Sequence, residues 1–199
     1  MKHRIGIILA AIAMTATATP AFAHLDPAEH GSFAAGFSHP LFGLDHILAM
    51  VGVGLWAALL GGRATWRVPT AFVVTMMAGF AAATANIGLP FVEPVVAASV
   101  VVLGLLALVA LQAPTPVAMA LVGFFAFFHG HAHGGELGAA GAWPFMAGFA
   151  LTTALLHAVG VGIGLGCSRL VGTEAGRWIT RGLGGLTALG GGLWIVAGA

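Results

Sequence analysis

Long apolar runs separated by short polar stretches dominate the chain from residue 40 onward. Six of them approach the roughly 20 residues that a helix needs to cross a bilayer core of ~30 Å. Pro40 stands where the first turn of a helix tolerates proline, and Gly61 and Gly62 suit the end of the same helix. The pattern predicts a bundle of six transmembrane helices at about 40–61, 68–87, 93–112, 115–135, 143–166 and 178–198.

The first residues form a different pattern. Lys2 and Arg4 precede an apolar stretch, and Ala21-Phe22-Ala23 fits a small-x-small cleavage site. These features predict a cleavable signal peptide, with an uncleaved first helix as the alternative. The predicted organisation is a signal peptide at 1–23, an external N-terminal segment at 24–39 and a six-helix transmembrane domain at 40–199.

Composition supports an all-α integral membrane protein. The 199 residues are 59% hydrophobic and only 7% charged, whereas soluble proteins carry roughly 25% charged residues. A net charge of +1 argues against a nucleic-acid partner, which would need a basic face. The single Cys167 excludes an intramolecular disulfide and any multi-cysteine metal site.

The arginines predict the orientation of the helices. Arg63 and Arg67 lie between the first two runs, and the others lie near the junction of the last two, at Arg169, Arg177 and Arg181. Basic residues favour the cytoplasmic side of a membrane. We therefore predict a multi-pass protein of the bacterial inner membrane, with the mature N-terminus and the C-terminus on the periplasmic side.

Two islands of ionisable residues interrupt the apolar runs. His39, Asp45 and His46 lie at the start of the first run, while His129, His131 and His133 lie near the end of the fourth. At ~1.5 Å per helical residue, Asp45, His46 and His129 come out roughly 8–9 Å below the outer face. Carboxylates and imidazoles are costly at such depth and normally mark ion pathways or relays.

Helical spacing groups these side chains. His39 and His46 are seven residues apart, so one face of a continuous first helix would carry both. His129 and His133 are four apart and share a face, while His131 points away if the helix stays regular. Imidazole suits zinc, copper, nickel and iron, so we predict an intramembrane site for a divalent transition metal. Asp45 either ligates the metal or orients a histidine.

Further candidates lie along a route through the membrane. If cleavage follows Ala23, the α-amine and imidazole of His24 could chelate one ion together. His131 and Glu136 fall at the external side, and His157 is predicted ~20 Å down, past the midplane. We interpret these residues as a path for the ion, with His157 accepting the metal or a proton on the way inward.

A longer motif adds a resemblance. His39 to Met50 reads His-Pro-x-x-Gly-x-Asp-His-x-x-Ala-Met and is followed by Val-Gly-x-Gly-Leu-Trp. Together with His-Gly-x-Ala-His-Gly from His129 to Gly134, followed by Glu136, the chain resembles the HupE/UreJ family. The resemblance implies a nickel, or in some members cobalt, permease that supplies nickel–iron hydrogenase or urease. It also implies metal roles for His39, Asp45, His46, His129 and His133.

Three functions remain open at this point. The first is a secondary permease that imports a divalent metal ion, nickel or cobalt, without nucleotide, since the chain has no P-loop. The second is an intramembrane zinc hydrolase with Glu136 or Glu93 as acid and base. The third is a b-type haem protein with paired histidine ligands. The sequence leaves both a monomer and a homo-oligomer open.

Overall fold

The computed structural model describes residues 33–137 and 141–197, and of Glu136 and Leu137 only the backbone. Every regular element in this part of the chain is a helix, which confirms the all-α class. The predicted signal peptide at 1–23 and His24 lie outside the described residues. The helices are α1 (Phe33–Phe42), α2 (Leu44–Leu60), α3 (Ala64–Thr84), α4 (Val92–Leu108), α5 (Thr115–Leu137), α6 (Ala142–Val171) and α7 (Thr173–Ala197).

Not all of these helices are long and apolar enough to cross a membrane. Among the described residues, three qualify by length and composition: Ala64–Thr84, Thr115–Gly135 and Ala142–Val171. A fourth span results if the bent pair α1 and α2 is counted as one. Helix α4 is apolar but has 17 residues, or about 25 Å. The structure therefore shows a helical protein with three to four candidate spans.

The first span is broken. Helix α1 ends at Phe42, helix α2 begins at Leu44, and the two axes differ by 85°. The predictions of a continuous helix beginning at Pro40, and of one helix face shared by His39 and His46, are therefore wrong. Gly43 between the helices is extended, and a β-carbon there would lie 2.8 Å from His46 Nδ1. A side chain at residue 43 would therefore displace the Asp45 and His46 side chains.

The helices pack pairwise, α3 on α5, α4 on α7, and α2 and α1 on α6. Small residues let the backbones approach closely. A β-carbon at Gly79 of α3 would collide with the backbone of Phe127, and one at Gly130 of α5 would collide with the backbone of Met76. This contact surrounds His129 with packed helices and buries it completely.

Side-chain hydrogen bonds show which helix ends lie together. Gln112 Nε2 donates to Leu59 O at the end of α2, and Arg181 Nε donates to Leu108 O at the end of α4. The ends of α2 and α4 therefore share one face of the bundle with the start of α7. At the opposite ends of α3 and α5, His131 Nε2 lies 2.7 Å from the Ile87 carbonyl oxygen.

Candidate metal centre

Three histidines from three helices meet near the break between α1 and α2. His46 Nε2 and His133 Nε2 lie 2.6 Å apart and are buried. The His39 ring lies with its centroid 4.6 Å from that of His133 and 6.2 Å from that of His46. The bend brings His39 back toward α2, so the histidines converge although they do not share a helix face.

Asp45 orients His46. Its Oδ2 lies 3.1 Å from His46 Nδ1, and both side chains are mostly buried. With Nδ1–H donating to the carboxylate, a neutral His46 keeps a lone pair on Nε2. The His133 Nε2–H then donates to that lone pair. This contact fits the orienting role, one of the two predicted for Asp45, which is common around metal-binding histidines.

His129 completes the set one helical turn before His133. Its ring centroid lies 5.3 Å from that of His46, and its Nε2 lies 2.8 Å from Ser99 Oγ of α4. The spacing of His129 and His133 places both on the inner face of α5, as the regular helix requires. We refer to His39, Asp45, His46, His129 and His133 as the histidine cluster.

Sequence reasoning did not identify Ser99. A hydroxyl in an apolar helix is a weak signal, since serine is also a small packing residue in membrane helices. Ser99 and Glu93 are, however, the polar residues of α4. A search for polar residues inside the apolar runs, rather than for histidines and carboxylates alone, could have found Ser99.

Of three other predicted residues, only His131 has a described side chain that can be compared with the histidine cluster. His131 points away from it and contacts Ile87 O. His24 lies outside the described residues, and for Glu136 only the backbone, in the last turn of α5, is described. The chain from His129 to Glu136 stays helical.

His157 of α6 occupies a separate position. It is 1% exposed, and among the described residues neither ring nitrogen has a hydrogen-bond partner. The Phe72 ring lies between the two regions, 4.9 Å from the His157 centroid and 5.8 Å from that of His129. His157 also lines a largely apolar cavity of about 350 Å³ together with Trp66 and Pro69 near the start of α3.

In the structure, hydrogen bonds join Asp45, His46 and His133 of the histidine cluster, and the spacing of His46 and His133 is that of a hydrogen bond. Two imidazoles bound to one tetrahedral ion at ~2.0–2.1 Å hold their ligand nitrogens ~3.3 Å apart. His46 and His133 are closer than this, at 2.6 Å. Within 33–137 and 141–197, no three His, Cys, Asp or Glu side chains already form a metal-binding group. For a tetrahedral ion to bind between the two rings, they would have to separate by about 0.7 Å.

Comparisons with known proteins agree with the resemblance suggested by the motif from His39 to Met50. The sequence profile of the HupE / UreJ protein family matches residues 12–194. The chain belongs to the HupE/UreJ family. A relative, Protein HupE of Rhizobium leguminosarum bv. viciae, is 44% identical over 185 residues, which cover 92% of this chain and 95% of the relative. No solved structure matches the chain.

Proposed function

We propose that this member of the HupE/UreJ family is a secondary permease that imports a divalent transition metal ion, Ni²⁺ or Co²⁺, across the bacterial inner membrane. The observation that carries the proposal is the convergence of His39, His46, His129 and His133 from three helices, with Asp45 orienting one of them. The family name and this buried donor set support the same cargo. Supply of nickel to enzyme maturation would be the indirect consequence.

The donor set suits an ion that must be released again. Neutral imidazoles bind nickel and cobalt well, and Asp45 supplies a negative charge beside His46. An arriving ion has to replace the His46–His133 hydrogen bond and separate the two rings. Part of the binding free energy is spent on this change, which weakens retention. Conduction requires binding that is favourable enough for entry and weak enough for exit.

The proposed route runs from the histidine cluster past Phe72 to His157 and then to the cytoplasmic face. His157 accepts the ion, or a proton in exchange, because both of its nitrogens lack hydrogen-bond partners among the described residues. His24, His131 and Glu136 would capture the ion outside. An inward-moving dication gains roughly 4–5 kcal/mol from a membrane potential of 100 mV, so nucleotide hydrolysis is not needed.

The proposed topology has six spans after a signal peptide at 1–23, with both mature termini in the periplasm. Helix-end contacts support it. The ends of α2 and α4 and the start of α7 share one face, and Arg63, Arg177 and Arg181 lie at those helix ends. That face is cytoplasmic by the positive-inside rule. The broken α1–α2 pair, the shorter α4 and α7 then count as spans beside α3, α5 and α6.

Uptake of radiolabelled nickel, cobalt and zinc tests the function. Cells expressing Asp45→Ala or His129→Ala are expected to accumulate nickel at the background level of cells without the protein. Phe124→Ala is the control, because it removes a ring of the same helix that is 53% exposed and lies outside both the histidine cluster and the proposed route, and it should retain most uptake. Membrane levels of each variant are compared by immunoblot. Equal nickel accumulation in all strains, including the empty cells, would exclude the permease.

The two other functions gain no support from the geometry. A zinc hydrolase needs an acid or base carboxylate beside the metal. Of the two candidates, Glu93 lies exposed in the first turn of α4, and the side chain of Glu136 is outside the described part of the chain. The rings of His39 and His133 pack with centroids 4.6 Å apart, which leaves no room for a porphyrin between them. The permease is therefore the function that the site supports best.

A further inference from the structure

The Ser99 hydroxyl connects the backbone of α4 to His129. Ser99 Oγ lies 2.6 Å from the Val96 carbonyl oxygen, to which it donates, and 2.8 Å from His129 Nε2. Both Ser99 and His129 are 0% exposed. Neither side chain can therefore exchange a missing partner for water, and the position of each proton follows from these contacts.

A serine hydroxyl has one proton and two acceptor lone pairs. If that proton goes to Val96 O, the Ser99 oxygen accepts a hydrogen bond from His129 Nε2–H, and both donors are satisfied. If the proton goes to His129 Nε2 instead, the neutral ring must carry its own proton on Nδ1. That Nδ1 has no hydrogen-bond partner among the described residues. A buried N–H without an acceptor is costly, so the first arrangement is the stable one.

We infer that Ser99 is a positioning residue that holds His129 in the Nε2–H tautomer and leaves the Nδ1 lone pair to bind the transported ion. The inference deepens the proposed function and rests on it for the identity of the ion. His46 is oriented in the opposite sense, since Asp45 binds its Nδ1 and leaves Nε2 for the metal. The two histidines thus offer different ring nitrogens to the ion, Nε2 of His46 and Nδ1 of His129. In each ring, a hydrogen bond to the other nitrogen selects the tautomer.

The tautomer is testable without transport. Purified protein labelled with nitrogen-15 histidine reports by NMR which ring nitrogen carries the proton, and His129→Gln identifies the signal. Wild type and Ser99→Thr, which keeps the hydroxyl, should show His129 with its proton on Nε2. In Ser99→Ala the signal should shift toward a mixture of both tautomers. A wild-type His129 with its proton on Nδ1, or a Ser99→Ala signal identical to wild type, would overturn the inference.

Metal binding and uptake form the second readout. Loss of an orienting partner typically weakens metal affinity about 10–100-fold, so Ser99→Ala should bind Ni²⁺ that much more weakly, while Ser99→Thr stays close to wild type. Ser168→Ala is the matched control, because Ser168 also donates to a helix carbonyl, Gly164 O, and has no hydrogen bond to a histidine among the described residues. Unchanged Ni²⁺ affinity in Ser99→Ala would contradict the positioning role.

The two proposals fail separately. If His129 has the expected tautomer but no variant of the histidine cluster alters nickel uptake, the permease proposal is wrong while the assignment of the His129 proton holds. If cluster variants abolish uptake and Ser99→Ala changes neither tautomer nor affinity, the permease stands without Ser99. Size-exclusion profiles in detergent distinguish either result from simple misfolding of a variant.

Discussion

The histidine cluster and the surroundings of His157 are two buried polar regions that differ in hydrogen bonding. In the histidine cluster, His46 is bonded to Asp45 and to His133, and His129 to Ser99. His157 is equally buried, yet among the described residues its nitrogens have no hydrogen-bond partner.

Under the proposed function, this difference predicts different roles for the two regions. Hydrogen bonds select one tautomer and one ring orientation, which a site that recognises an ion requires. An unbonded buried imidazole costs free energy, and binding an ion or a proton for a short time offsets that cost. We therefore expect changes in the histidine cluster to alter affinity for the ion, and changes at His157 to alter the rate of its passage.

The largest expected effect comes from His46→Ala. The variant removes a candidate ligand together with its contacts to Asp45 and His133. Nickel affinity of the purified protein, measured by equilibrium dialysis, should fall by more than the roughly 10–100-fold that loss of an orienting partner costs. His157→Ala, measured in parallel, should bind nickel like wild type. Equal losses of affinity in both variants would remove the distinction between the two regions.

His157→Leu is expected to have a smaller effect, and this effect is a gain in the stability of the fold. Replacing an unbonded buried imidazole by an apolar side chain of similar size should stabilise the fold by roughly 1–3 kcal/mol, because no polar group is left buried. Thermal unfolding in detergent measures this, and nickel uptake should slow at unchanged half-saturation. A destabilised variant would show that His157 has a favourable interaction in the native protein.

A cost similar in size but of opposite sign is expected for Gly43→Ala. The new β-carbon would lie 2.8 Å from His46 Nδ1 and 2.9 Å from Asp45 Oδ1, so the pair must shift, at a cost of roughly 1–3 kcal/mol. Nickel uptake should show a raised half-saturation concentration. Gly135→Ala is the matched control, since a β-carbon there meets nothing within 4 Å. If both alanines behave alike, the helix break does not position the Asp45–His46 pair.

Much of the fold was predictable because apolar runs of the right length form helices in lipid. Each of the six predicted runs coincides with helical structure. The break at Gly43 was not predicted, because Pro40 after His39 resembles a first-turn proline of the following helix. In the structure Pro40 lies inside α1. From the sequence alone, a proline near the end of one helix cannot be distinguished from a proline in the first turn of the next.

The site was predictable to the extent that helical spacing applies. His129 and His133 were correctly placed on one face, with His131 pointing away, because α5 stays regular. The placement of His39 and Ser99 depends instead on the bend and on the packing of α4, which no spacing along the chain reports. The sequence predicts two possible roles for Asp45, and its 3.1 Å distance to His46 Nδ1 favours the orienting one.

The 85° bend also has an electrostatic consequence. Helix α1 ends beside His39, so the partial negative charge of its macrodipole lies near the histidine cluster, where it favours a cation. Helix α2 begins there with its partial positive charge, and Asp45 in its first turn offsets that charge. A straight helix through Gly43 would have neither terminus at this depth. With Asp45 included, the sum of these charges at the break is negative, which under the proposed function favours a dication.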